Sequence, residues 1–167
     1  MIAFTVQSME AGHSADVLRL ARSLGDWFNE EGLRQMERDL ESHAGHVALL
    51  EGRIVGFATW NPVDPQTANL SWIGVAEELH RQGIGRALVQ AVVADLRLAG
   101  FRFLEVSTVA DSMDYEPYEQ TRRFYRALGF ADYRVDRDYF HGAEGAYDRL
   151  LLRHDLATRL PRHSTEA

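Results

Sequence analysis

Hydrophobic and polar positions along the chain follow two periods, and the changes between them mark the elements. Residues 2–7, IAFTVQ, alternate apolar and polar positions and predict a strand. HSADVLRLARSLG then places Val17, Leu18, Leu20 and Ala21 at helical spacing and stops at Gly25. EEGLRQMERDLESH carries Leu33, Met36 and Leu40 on one stripe, which predicts a second helix. HVALLEGRIVGFATW returns to the strand period as a hairpin turning at Glu51-Gly52, and the two prolines of NPVDPQTA predict a loop. NLSWIGVA is a strand, a helix runs from the turn after it to about Gly100, and FRFLEVSTV is the next strand. A strand, helix, strand crossover of this kind builds parallel pairing. PYEQTRRFYRAL predicts a helix with Pro117 in its first turn and Gly129 just past its end. FADYRVDRDYF and AYDRLLLRHDL close the chain as strands around HGAEG. Parallel pairing is expected at the centre of the sheet and hairpins at both ends.

Composition narrows the class. The 167 residues, 46% of them hydrophobic, suit one domain over residues 1–160, and the polar end at 161–167 reads as a disordered tail. No run approaches the 18 apolar residues of a membrane span, and the first residues lack a basic start and a cleavable apolar stretch. The expectation is a soluble cytoplasmic protein with no membrane partner. Zero cysteines exclude disulfides, thiolate zinc sites and a cysteine nucleophile. A formal charge of −7 argues against a nucleic-acid partner. His43 and His46 share a loop without a carboxylate or thiolate partner at metal-ligand spacing, so no metal is expected.

Candidate chemistry concentrates in LHRQGIGRALV, residues 79–89, where a polar turn opens a helix. A helix N-terminus presents unpaired N–H groups and a partial positive charge to an anion. Gly83 and Gly85 would let an oxygen approach the backbone, Arg81 and Arg86 add charge, and no acidic residue occurs from Leu79 to Ala94. A P-loop is ruled out because Arg86-Ala87 follows the second glycine. A dinucleotide fingerprint lacks its third glycine, which is Leu88, although Glu105 falls 20 residues after Gly85.

VAEELHRQGIGRALV resembles the acyl-CoA-binding motif of the GNAT superfamily of N-acetyltransferases, with His80 where the family usually has Arg or Gln. YEQTRRFYRALGF resembles a second family motif in Phe124, Tyr125, Gly129 and Phe130, with Tyr118 replacing the usual Asn and Thr121 the usual Ala. The resemblance implies an α/β, GNAT-like fold: a mixed central sheet of six to seven strands, parallel at the centre with antiparallel wings, flanked by about four helices. It implies acetyl-CoA as co-substrate, its pyrophosphate on Arg81, Gln82, Gly83, Ile84, Gly85, Arg86 and Ala87. Backbone groups of Ile73, Gly74 and Val75 would hold the pantetheine arm, and Tyr118 is a further cofactor contact. Gly74 independently suggests a bulge or a close backbone approach.

Acetyl transfer to an amine needs a neutral nucleophile, and a lysine-like amine of pKa about 10.4 is neutral in only roughly 1 molecule in 2,500 at pH 7. Tyr125 holds the family's general-acid position. Asn69 and Ser71 stand where many members carry a carboxylate base, which leaves Glu105, Asp111 or a water relay for that role. The substrate wall is expected from DWFNEEG, with Trp27 and Phe28, from Asp111, and from YFHGAEGAY opposite. Arg122, Arg123 and Arg126 suit the latter half of a helix through its dipole. The function expected is direct acetyl transfer to a primary amine, in a small molecule or an amino terminus, with a non-catalytic acyl-CoA sensor as the alternative. Oligomeric state stays open, a homodimer included.

Overall fold

The computed structural model describes residues 2–142 and 144–157, so the tail expected at 161–167 lies outside the described residues. Strands β1 (Thr5–Ser8), β2 (Ala44–Leu50), β3 (Arg53–Pro62), β4 (Thr67–Val75), β5 (Phe103–Val109), β6 (Ala131–Gly142) and β7 (Gly145–Asp155) form one sheet in the order β1-β2-β3-β4-β5-β7-β6. Only β4 and β5 pair in parallel; every other neighbour is antiparallel. Helices α1 (Ser14–Ser23) and α2 (Glu30–Asp39) precede β2, α3 (Ile84–Leu98) joins β4 to β5, and α4 (Glu116–Ala127) joins β5 to β6. This is the mixed α/β sheet that the resemblance implies.

Alternation along the strands sorts the core into two layers. Val47 and Phe57 face Val17, Ala21, Leu33 and Met36 of α1 and α2, whereas Ala48 and Ala58 face Leu88, Val92 and Leu96 of α3. The apolar stripe of α3 recurs every three or four residues, which is why that segment is helical and why it lies along the sheet. α4 begins after Tyr115 with Pro117 in its first turn. It ends with Gly129 N–H bonded to Arg126 O and Phe130 N–H bonded to Tyr125 O, as expected for a glycine-terminated helix.

Several boundaries differ from the sequence reading. β3 continues through Pro62 and β4 starts at Thr67, so the two-proline loop shrinks to residues 63–66. Pro62 sits at the strand's last position, where a missing N–H is tolerated. The strands flanking HGAEG extend to Gly142 and Gly145. A 3-10 turn, Ala11–His13, precedes α1, and His46 lies within β2 rather than in a loop. Gly74 is in register opposite Phe57, and a β-carbon there would lie 2.9 Å from the Phe57 ring. The close approach is therefore to a side chain, and the bulge in β4 falls elsewhere: Trp60 pairs with Leu70 and Thr59 with Trp72, which leaves Ser71 as the extra residue.

Candidate active site

β4 and β5 pair over only three positions, Thr67 with Phe103, Ala68 with Leu104 and Asn69 with Glu105. Beyond Asn69 they diverge, so the β4 edge from Leu70 to Val75 has no sheet partner on that side among the described residues. Ligands in open α/β sheets bind beyond the carboxyl ends of parallel strands, and this gap is such a place. Ile73, Gly74 and Val75 lie on the unpaired edge. Val75 O is hydrogen-bonded to the His80 imidazole, 2.8 Å away.

The glycine turn follows directly, after a 3-10 turn at Glu77–Leu79. Arg81 (φ 62°) and Gly83 (φ 84°, ψ 3°) both take the left-handed conformation, and Gly83 caps α3, whose first turn carries no acidic residue. That conformation costs a residue with a β-carbon about 1–2 kcal/mol, which accounts for glycine at position 83. Gly85 has a different role from the one its sequence position suggests. A β-carbon there would lie 3.0 Å from Phe124 Cζ, so Gly85 lets the two motif helices touch. Gln82, Ile84, Arg86 and Ala87 complete the turn and the start of α3, with Ala87 N–H bonded to Gly83 O.

The aromatic pair expected in the substrate wall divides. Phe28 is packed against Phe57 and Trp72, with ring centroids 6.3 and 6.1 Å apart. Trp27 stands edge-on to His80 at 5.5 Å and donates from Nε1 to Pro117 O at 3.1 Å. Tyr115 Oη donates to Asp26 O at 3.1 Å, so the α1–α2 loop is fastened to the start of α4 beside the glycine turn. Tyr118 packs on Tyr115 at 5.0 Å, and burial raises its phenol pKa above the usual 10.

Tyr125 lies two helical turns further on, 4% exposed, between the rings of Phe124 and Phe130. Desolvation pushes its pKa far above 10, so the hydroxyl stays protonated throughout the neutral range. Nothing among the described residues hydrogen-bonds it.

On the other face of the sheet a cleft of about 390 Å³ opens between β4 and the β5–β7–β6 wing. Asn69, Ser71, Glu105, Ser107 and Leu151 line it, with Arg134, Tyr139 and Arg149 on the far side. Its charges are paired. Glu105 accepts from Arg153 Nε at 3.0 Å and from the guanidinium NH2, and Arg153 stacks on Tyr133 at 3.9 Å. Asp136 bonds Arg149 and Arg134, which lowers its pKa, and Arg149 lies over the Tyr139 ring at 3.8 Å. Tyr125 and Glu105 thus belong to opposite faces, and they can address a common ligand only through the gap. Asp111 lines a separate hollow with Asp132 and Asp148.

Asp111 is held there by Arg122 Nε at 3.0 Å and by Arg126. Arg122 is 4% exposed and donates to Val109 O at 2.8 Å, so it fixes the end of β5 rather than serving the helix dipole. Hydrogen bonds from charged groups are worth about 1.5–3 kcal/mol. Arg122→Met, which keeps most of the volume, is expected to cost about 2 kcal/mol and to lower the melting temperature by about 4–8 °C in a calorimetric scan.

The sequence reading missed a hydroxyl–imidazole chain on the cleft wall. His43 Nδ1 is 2.9 Å from Ser71 Oγ, which is 2.8 Å from Thr59 Oγ1, and Asp39 Oδ1 is 3.9 Å from His43 Nε2. The i, i+4 spacing of Asp39 and His43 at a helix end was the only local signal; the link to Ser71 spans 28 residues. Among the described residues there is no group of three or more side chains placed to hold a metal, and no helix is long and apolar enough to cross a membrane.

Comparison with known proteins settles the class. The model of the acetyltransferase (GNAT) family matches residues 15–130, and the chain belongs to that family of N-acetyltransferases. A GNAT-family protein of Desulfovibrio desulfuricans superposes with a TM-score of 0.80 at 26% identity, over 92% of this chain and 99% of that one. A GNAT acetyltransferase of Elizabethkingia anophelis, solved with acetyl-CoA bound, gives 0.70 at 20% identity over 91% and 97% of the two chains. In sequence, 87 residues are 38% identical to the mycothiol acetyltransferase of Salinispora arenicola (strain CNS-205), a match spanning 48% of this chain but only 28% of that protein.

Proposed function

We propose that this chain transfers the acetyl group of acetyl-CoA directly to a primary amine, in a small molecule or at a peptide amino terminus, within a ternary complex in the cytoplasm. The observation that carries this reading is the split between β4 and β5. It opens beside an acid-free, glycine-capped helix start and leads through the sheet to a polar cleft. In this reading the N–H groups of residues 81–86, with Arg81 and Arg86, hold the pyrophosphate, while the Ala87 N–H is already bonded to Gly83 O, and the free edge at 73–75 pairs with the pantetheine amides. Tyr118 flanks the arm, and Trp27 borders the entrance. Tyr125 protonates the departing thiolate, whose pKa is near 8.5 if it resembles a cysteine thiol. With no cysteine in the chain, a thiol acyl-enzyme is excluded.

The pairing of Glu105 with Arg153, and the distance of Asp111 from the cleft, favour a second reading as a non-catalytic acyl-CoA sensor. A thermal melt with acetyl-CoA, CoA and NAD, followed by thiol release in the presence of amines, separates the readings. At 100 times its dissociation constant a native-state ligand adds about 2.7 kcal/mol, here a rise of roughly 5–10 °C. Both CoA species are expected to give it and NAD is not. No rise with either would overturn the cofactor assignment, and a rise without thiol release would favour the sensor.

A further inference from the structure

We infer that Ser71 and His43 form the proton relay that deprotonates the acceptor amine, with Asp39 as a positioning residue; this rests on the transferase reading above. The need for a base is chemical, because the acceptor arrives as an ammonium ion, and both carboxylates suggested by sequence are otherwise engaged. Glu105 is bonded by Arg153 on the cleft wall, and Asp111 is bonded by Arg122 and Arg126 outside it. Among the described residues, Ser71 is the one cleft-lining residue hydrogen-bonded to an imidazole, the side chain whose ordinary pKa is nearest neutrality.

The bulge in β4 explains how a serine reaches this position. As the extra residue of the β3–β4 ladder, Ser71 shares the α2 side with its neighbour Trp72 instead of alternating away from it. Trp72 Nε1 donates to Asp39 Oδ2 at 2.8 Å while Ser71 Oγ meets His43 Nδ1 at 2.9 Å. Bonding directions follow from the partners available. Thr59 is fully buried and, among the described residues, its hydroxyl bonds only Ser71, so Thr59 donates and the Ser71 proton is left for His43. His43 Nδ1 then accepts, and its proton sits on Nε2, facing Asp39 Oδ1 at 3.9 Å. Asp39 is itself fixed by Trp72 and by Gln35 Nε2 at 2.8 Å. From α2, Asp39 is the charged group facing His43; β3 and β4 present the neutral Thr59 and Ser71.

The relay balances as follows. The ammonium group in the cleft gives one proton to Ser71 Oγ as Ser71 gives its own to His43 Nδ1, and the imidazolium, with its side chain 14% exposed, releases that proton to water. The neutral amine attacks the thioester carbon; the C–N bond forms and the C–S bond breaks. Tyr125 protonates the sulfur, and the second proton shed by nitrogen restores the phenol. The sum is ammonium plus acetyl-CoA giving amide, CoA thiol and one proton.

The test uses the full chain with Ser71→Ala, His43→Asn and the double variant, the asparagine keeping a polar atom near Nδ1. Acetyl-CoA turnover is followed by thiol release with Ala-Gly-Gly, putrescine, phenethylamine and glucosamine as acceptor probes, from pH 6.5 to 10. Each single variant is expected to lose about 100-fold in kcat at pH 7, to recover to within tenfold at pH 10 where roughly a quarter or more of the amine is neutral without help, and to keep the acetyl-CoA melting shift. The double variant should lose no more than either single one, as expected for groups acting as a unit. A loss that is equal at every pH would mean a structural role and overturn the relay, as would unchanged rates. A parent protein that shifts with acetyl-CoA but releases thiol with none of the probes would overturn the transferase reading and the relay with it.

Discussion

Replacing Tyr125 with phenylalanine is expected to lower kcat by about 10³-fold, the middle of the range for a general acid, while KM for acetyl-CoA and the melting temperature at pH 7 stay close to the parent values. The substitution is clean because phenylalanine fills the same space between Phe124 and Phe130, and the hydroxyl makes no hydrogen bond to the described residues that would be orphaned. The competing account is that a residue 4% exposed inside the core cluster does nothing but pack. It predicts an unchanged kcat, and that result would remove Tyr125 from the mechanism.

Protonation of Tyr125 also links stability to pH. Burial raises the folded-state pKa above the unfolded value of about 10. The group's contribution is therefore fully present below pH 10 and is lost as pH rises from there toward the folded pKa, because only the unfolded chain releases the proton. Tyr125→Phe should lack this alkaline loss. Melting curves of the two proteins should coincide near neutrality and separate above pH 10, with the parent the less stable at the alkaline end.

Local signals in the sequence carried the elements and their order because each depends on neighbours a few residues away. The α3 stripe, the Glu51-Gly52 hairpin and Gly129 at the end of α4 were all legible for that reason. What the glycines do was less so. Gly83 is needed for its backbone angle, as its place in the motif suggests, but Gly85 answers to Phe124, a residue 39 positions away that only the packed fold brings to it. Gly74 answers in the same way to Phe57 across the β3–β4 ladder.

Charge partners were the least legible part. Arg153 and Glu105 are 48 residues apart and join only because β5 and β7 are neighbours in register. Nothing local distinguishes a carboxylate so paired from one left free to take a proton. The cleft-wall chain failed to appear for a related reason: it needs a one-residue slip in β4, and strand periodicity carries no sign of a bulge. His43, marked in the sequence only by its i, i+4 spacing from Asp39, gains a candidate role from Ser71, 28 residues away.

Substituting Gly83 with glutamate is expected to weaken acetyl-CoA binding on the order of 10³-fold and to abolish the melting shift at ligand concentrations that saturate the parent. Two effects act together. A β-carbon at φ 84° strains the turn by about 1–2 kcal/mol, although the space around it is open, so the unliganded protein should melt only about 2–8 °C lower. A carboxylate held at the start of α3 also faces the incoming pyrophosphate, and two unit charges 4 Å apart near a protein surface repel by about 4 kcal/mol, which corresponds to roughly that loss of affinity. Gly83→Ala separates the two effects, because it carries the strain without the charge and should weaken binding less than about tenfold. Titration calorimetry with CoA on all three proteins gives the comparison. If glutamate and alanine weaken binding equally, the turn does not hold the pyrophosphate and the anion must be bound elsewhere along the β4–β5 gap; if only glutamate is severe, the unpaired amides at the start of α3 are its site.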